Sequence, residues 1–139
     1  IHAIAELDSV LPETDLLVMA LPSTAETVGI LSRERIALLP DNALVVNVGR
    51  GTAIDQGARC DALNAGRLAG AALDVVVPEP LPADHPLRRA KNLLLTPHVA
   101  GNMTLGYTCE RNVQLFCENL ENYAAGRPMH HLVDRRKGY

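Results

Sequence analysis

Four short apolar runs, separated by stretches with helical spacing, limit what this chain can fold into. They cover residues 16–21, 43–48, 70–77 and 92–96, and each is rich in Leu, Val or Ala. Runs of this length and composition predict parallel strands covered on both faces. Between them the punctuation is helical. A short helix is expected over residues 6–11, closed by Pro12. Ser32 is placed to cap a helix over residues 33–39 that Pro40 stops. Asp55 is placed to cap residues 56–65, with Gly66 at the position that follows a helix. Pro78, Pro80, Pro82 and Pro86 exclude regular structure over residues 78–86. A long helix is predicted over residues 103–125. There Leu105, Cys109, Val113, Phe116, Leu120 and Tyr123 form one stripe, and Gly126 and Pro128 end it. Alternation of this kind means an α/β fold: a parallel sheet with right-handed crossovers and flanking helices.

The 139 residues amount to one domain. A domain of this size hides about 70% of its unfolded surface. Its core is aliphatic, because Phe116, Tyr107, Tyr123 and Tyr139 are the only aromatic residues. A net charge of −3 gives no electrostatic case for nucleic acid or for a membrane surface. No apolar stretch reaches the roughly 18 residues of a membrane helix. A basic start followed by an apolar region, the mark of a secretion signal, is not visible. Cys60, Cys109 and Cys117 are odd in number and lack CxxC spacing, so they read as free thiols of a cytoplasmic protein rather than a disulfide framework. His130 and His131 adjoin but have no third ligand, so no metal site is expected.

Chemistry is concentrated just past the strands. Arg50, Glu79 and His98 each follow a different apolar run. In an open parallel sheet, ligands gather outside the carboxyl ends of the strands. A guanidinium there suits a carboxylate, which it binds through its planar fork. Imidazole suits proton transfer near neutrality. A carboxylate beside it would fix its tautomer and stabilise its charged form. Asp74 interrupts the third apolar run, where a carboxylate is costly unless paired.

Four consecutive segments carry a resemblance. Asn47-Val48-Gly49-Arg50-Gly51, Gly70-Ala71-Ala72-Leu73-Asp74-Val75, Pro78-Glu79-Pro80-Leu81 and Leu95-Thr96-Pro97-His98-Val99-Ala100-Gly101 resemble the collinear signatures of the D-isomer-specific 2-hydroxyacid dehydrogenases. Leu21-Pro22 and Leu132-Val133-Asp134 extend the match. The resemblance implies a Rossmann-like nucleotide-binding fold. It also implies hydride transfer between NAD or NADP, with NAD favoured, and a small D-2-hydroxy or 2-oxo acid. Arg50 would grip the substrate carboxylate and polarise the 2-oxo oxygen. His98 would be the acid–base, with Glu79 as its partner. Leu21 and Pro22 would line the adenosine side. Val48 and Gly49 would pass beneath the nicotinamide, Arg50 and Asp74 would lie near it, and His98 to Gly101 would complete the pocket.

The family's GxGxxG turn has no counterpart here, nor does the acidic residue that holds the ribose. The expected fold is therefore incomplete. Residues 1–126 would be the C-terminal part of a nucleotide-binding domain, and residues 127–139 a tail returning to a substrate domain. Such a polypeptide is expected to be inactive by itself. The family also contains NAD-gated corepressors that keep the Arg, Glu and His, so a binding protein on the same fold is the alternative. Dimer contacts in this family come from the nucleotide domain, which allows a homodimer. The residues quoted leave open which acid is the substrate and the direction of the reaction.

Overall fold

The computed structural model describes residues 1–101 and 105–138. The chain divides into two compact units, Ile1–Ala100 and Gly101–Tyr139.

The first unit holds a four-stranded parallel sheet in the order β1-β2-β3-β4. The strands are β1 Leu16–Met19, β2 Ala43–Asn47, β3 Leu68–Leu73 and β4 Leu93–Leu95. Its helices are α1 Leu7–Val10, α2 Arg33–Leu38 and α3 Gln56–Asn64. The expected caps are present: Ser32 Oγ accepts from Arg35 N, and Asp55 accepts from Ala58 N at 2.8 Å. Arg67 closes the far end of α2, donating to Leu39 O at 3.0 Å. A cation at the exposed carbonyls of a helix end is favourable.

The strands are shorter than the apolar runs at most ends, and β3 departs most from the sequence reading. β3 begins at Leu68 and stops at Leu73, so Asp74 stands just past the strand and not inside it. The early start follows from pairing, since Leu68 lies opposite Ala43 and Asn42 N donates to Arg67 O at 2.9 Å. The early stop marks where the chain turns into the proline-rich loop.

The sheet is also covered differently from expectation. One face packs with α2 and α3 on Met19, Leu31, Ile36, Val45, Leu63, Leu68 and Leu73. On the other, Leu16, Val18, Leu44 and Leu94 are 46–63% exposed. Strands laid down in one direction with crossovers of one hand place their helices on one side. An Arg33–Asp61 ion pair at 2.9 Å joins α2 to α3.

Two glycines let loops approach one another at the carboxyl edge. A Cβ on Gly49 would stand 2.6 Å from Leu21 N and O. One on Gly51 would stand 2.4 Å from Val76 O. No side chain fits at either place, so the β2 turn lies directly against the chain leaving β1 and β3.

The second unit contains α4, Gly106–Ala124, whose expected start at Met103 lies outside the described residues. Val113, Phe116, Leu120 and Tyr123 are exposed along it. The tail is tied back by Asn119, which donates to His130 O at 3.0 Å and accepts from His130 N at 2.7 Å. Among the described residues, no helix is long and apolar enough to cross a membrane.

Candidate active site

All four strands are parallel, so their carboxyl ends share one edge. Leu21 and Pro22 follow β1, Val48 to Arg50 follow β2, Asp74 and Glu79 follow β3, and His98 follows β4.

The β2 turn is shaped by a side chain to which the sequence reading gave no role. Asn47 is fully buried; its Oδ1 accepts from Gly49 N and its Nδ2 donates to Arg50 O, both at 3.0 Å. A buried amide that satisfies its own turn in this way fixes where Arg50 leaves the sheet. The Arg50 guanidinium is exposed and donates from Nη1 to Gly49 O at 2.7 Å.

The third and fourth strand ends meet closely. Glu79 Oε2 lies 2.7 Å from His98 Nδ1, and Glu79 Oε1 accepts from Val76 N at 3.0 Å. The hydrogen bond with His98, joined by that from Val76, holds the Glu79 carboxyl below the usual carboxylate range. An ionised carboxylate only accepts, so Nδ1 of His98 carries a proton and Nε2 is left for other chemistry. His98 and Glu79 border a cleft of about 510 Å³, with Val76, Leu81, Arg88, Leu95 and Pro97 among its walls.

Asp74 anchors the His98 loop. Its carboxylate accepts from Thr96 Oγ1 at 2.5 Å and from Val99 N and Ala100 N at 2.8 Å, and its carbonyl accepts from His98 N at 2.9 Å. His98 has φ of +55°, a conformation uncommon outside glycine that these bonds over-determine. Burial pushes the Asp74 carboxyl up. The hydrogen bonds from Thr96, Ala100 and Val99, with His98 nearby, outweigh it and leave the group below its usual range. Both carboxyls thus have lowered values in the fold. They stabilise it fully above the ordinary carboxylate pKa of about 4, and this contribution is lost as pH falls through the lower folded values. The expected result is a melting temperature that declines below about pH 4, less steeply in Asp74→Asn. Thermal melts from neutral pH to pH 3 check this; parallel declines in the two proteins would contradict it.

The structure therefore brings Glu79, His98 and Asp74 together. Arg50 reaches the same edge but is not among the residues that wall the cleft. Val48 and Asp74 share a separate apolar hollow of about 200 Å³ with Ala72, Leu94, Val99 and Ala100. Leu21 is half-buried beside Gly49, and Pro22 O accepts from Thr27 Oγ1 at 2.6 Å. Gly101 opens the second unit. Thr96, like Asn47, was missed as a contributor. Both lie within the quoted motifs, but their side-chain partners are set by folding.

Comparison with known proteins identifies the family. Residues 1–100 match the family described as D-isomer specific 2-hydroxyacid dehydrogenase, NAD binding domain. A hydroxypyruvate reductase of Blautia hydrogenotrophica is 37% identical over 124 residues, which are 89% of this chain and 38% of that protein. A D-isomer specific 2-hydroxyacid dehydrogenase of Xanthobacter autotrophicus, solved with NADPH and MES, superposes with a TM-score of 0.87 at 38% identity. The match covers 100% of this chain and 56% of that one. An NADPH-dependent glyoxylate/hydroxypyruvate reductase of Sinorhizobium meliloti, solved with NADP and sulfate, gives 0.86 at 31% identity over 99% of this chain and 44% of that one. The chain spans less than half the length of the curated relatives it matches. A parallel sheet with its histidine–carboxylate pair at the carboxyl edge, and a family match over 100 of 139 residues, lead to one conclusion: this chain belongs to the D-isomer-specific 2-hydroxyacid dehydrogenases.

Proposed function

We propose that this chain supplies the acid–base half of a nicotinamide-dependent oxidoreductase acting on small 2-oxo or D-2-hydroxy acids. The observation that carries the reading is the 2.7 Å contact between His98 Nδ1 and Glu79 Oε2, in a cleft at the carboxyl edge of the sheet. The named relatives and their nucleotide complexes support it. Residues 1–126 correspond in this reading to the later part of the nucleotide-binding domain, and residues 127–139 to a tail.

NAD or NADP, when bound, supplies or takes the hydride. The residues present fit a nicotinamide. The hollow beside Val48 is walled by Ala72, Leu94 and Val99, which suit a flat ring. Asp74 is at its margin with three acceptor positions engaged, and a carboxylate offers about four. The remaining one suits a carboxamide N–H. Leu21, Pro22, Gly49 and Gly101 belong to the same binding reading. His98 Nε2 gives a proton to the 2-oxo oxygen in reduction and takes it back in oxidation. Glu79 keeps the imidazole in the required tautomer and stabilises its charged form. Arg50 has its Nη1 engaged with Gly49 O, leaving its Nε–Nη2 edge for a substrate carboxylate.

The test is NADH or NADPH oxidation with glyoxylate or hydroxypyruvate, using the protein that carries this chain. Turnover is expected, and His98→Ala is expected to lower it at least about 100-fold, the scale of lost acid–base catalysis. No turnover, with partner binding that depends on NADH and survives His98→Ala, would favour a binding protein instead. Association with a second copy belongs to the same reading. The exposed Val113, Phe116 and Leu120 support it, and equilibrium sedimentation tests it. So does a cytoplasmic location, supported by the free thiols of Cys60, Cys109 and Cys117.

A further inference from the structure

The loop that carries Glu79 is gripped on both sides by residues outside the acid–base pair. On one side is Gln56, the first residue of α3. Its amide meets the backbone of Val77 with both ends: Nε2 donates to Val77 O at 2.6 Å, and Oε1 accepts from Val77 N at 3.1 Å. A two-point pairing of this kind fixes direction as well as distance. On the other side is Arg88, in the 3-10 turn Pro86–Arg89. It donates from Nη2 to Leu81 O at 2.6 Å and from Nε to Pro82 O at 2.8 Å. Only Pro78, Glu79 and Pro80 lie between these anchors, and a proline has no N–H with which to hold itself in place.

The Glu79–His98 contact does not supply that restraint. The two side chains are 36% and 49% exposed. An ion pair so open to solvent is worth little, less than the cost of ordering one backbone residue. The other bond to the carboxylate comes from Val76 N at 3.0 Å, next to the residue whose backbone Gln56 pairs with, and Gln56 and Arg88 are the side chains that grip the loop around it.

We infer that Gln56 and Arg88 are positioning residues, which hold Glu79 against Nδ1 of His98 and so set which imidazole nitrogen carries the proton. The inference rests on the proposed acid–base role of that pair. It extends the site to the N-terminus of α3 and to the turn before β4, neither of which touches the imidazole. The sequence separations, 21 residues from Gln56 to Val77 and 6 from Arg88 to Pro82, show that folding assembles the clamp.

Nitrogen-15 imidazole spectra of the 139-residue chain test this directly. They would be recorded near pH 9, well above the ordinary imidazole pKa of about 6.5. The wild-type His98 is expected as the Nδ1–H tautomer. Glu79→Gln provides the reference for a lost acceptor. In the double variant Gln56→Ala/Arg88→Met, the ratio of Nδ1–H to Nε2–H is expected to fall about fivefold, the scale of one hydrogen bond. Arg88→Met alone should give a smaller fall in the same direction, and Arg88→Lys should recover part of it. Arg88 is exposed, so the single variant decides the matter if the double variant does not fold. A wild-type signature in the clamp variants, with a changed one in Glu79→Gln, overturns the clamp and leaves the acid–base pair standing. An unchanged signature in Glu79→Gln itself removes the pair, and the clamp with it.

Discussion

Arg59→Met is expected to stabilise the sheet unit by about 3 kcal/mol. Arg59 lies on α3 at 1% exposure, and neither its Nε nor its Nη2 has a hydrogen-bond partner among the described residues. Burial pushes the guanidinium down from its ordinary value to about 10, against weaker opposing effects of Cys60 and Asp55. A fall of that size corresponds to about 3 kcal/mol lost by the charged form on folding, at roughly 1.4 kcal/mol per pKa unit. The penalty is present in full at neutral pH, where folded and unfolded states are both charged. From about pH 10 up to the ordinary arginine range the unfolded chain binds the extra proton, so stability rises with pH across that window. Methionine keeps most of the aliphatic stem and removes the charge, so it fills the space without an orphaned polar group. Urea unfolding at pH 7 checks the result. An unchanged or lower midpoint in Arg59→Met would mean that the guanidinium has a compensating partner.

Gly51→Ala is expected to destabilise the same unit by about 2–3 kcal/mol, the usual cost of forcing atoms into a packed site. The new Cβ would stand 2.4 Å from Val76 O, 2.5 Å from its carbonyl carbon and 2.8 Å from its Cα. These are backbone atoms that no rotamer change can move. Val76 N donates to Glu79 Oε1, so the displacement also reaches the His98 partner. Gly57→Ala is the natural contrast. It lies within α3, and its Cβ would meet only Asp55 Oδ1, at 3.5 Å. There the gain in helix propensity should stabilise the fold by about 0.5–1 kcal/mol. Denaturation of the two variants should therefore shift in opposite directions. A shift of the same sign in both would show that the β2 turn can move away from Val76.

The sequence by itself determined the elements and the sheet edge at which the candidate residues lie. Ser32 and Asp55 cap their helices through atoms three residues away, so those starts were readable from local spacing. Apolar runs punctuated by Pro and Gly placed the strands, and parallel alternation put Arg50, Glu79 and His98 at strand ends. The motif around each residue was enough to name the family. What local spacing could not supply were the relations between distant segments. Whether Glu79 would meet His98, 19 residues on, depends on β3 and β4 being neighbours in register. That Asp74 would serve first as the anchor of the His98 loop depends on β3 ending at Leu73, just before it. Arg59 gave no sign of its burial, because an arginine on a short helix is ordinarily solvated, and only the packing of α3 decided which way it faced. Capping and strand propensity act over a few residues and are written in the chain. Contacts between segments far apart in the chain arise from crossovers and register, so they exist only once the sheet has formed.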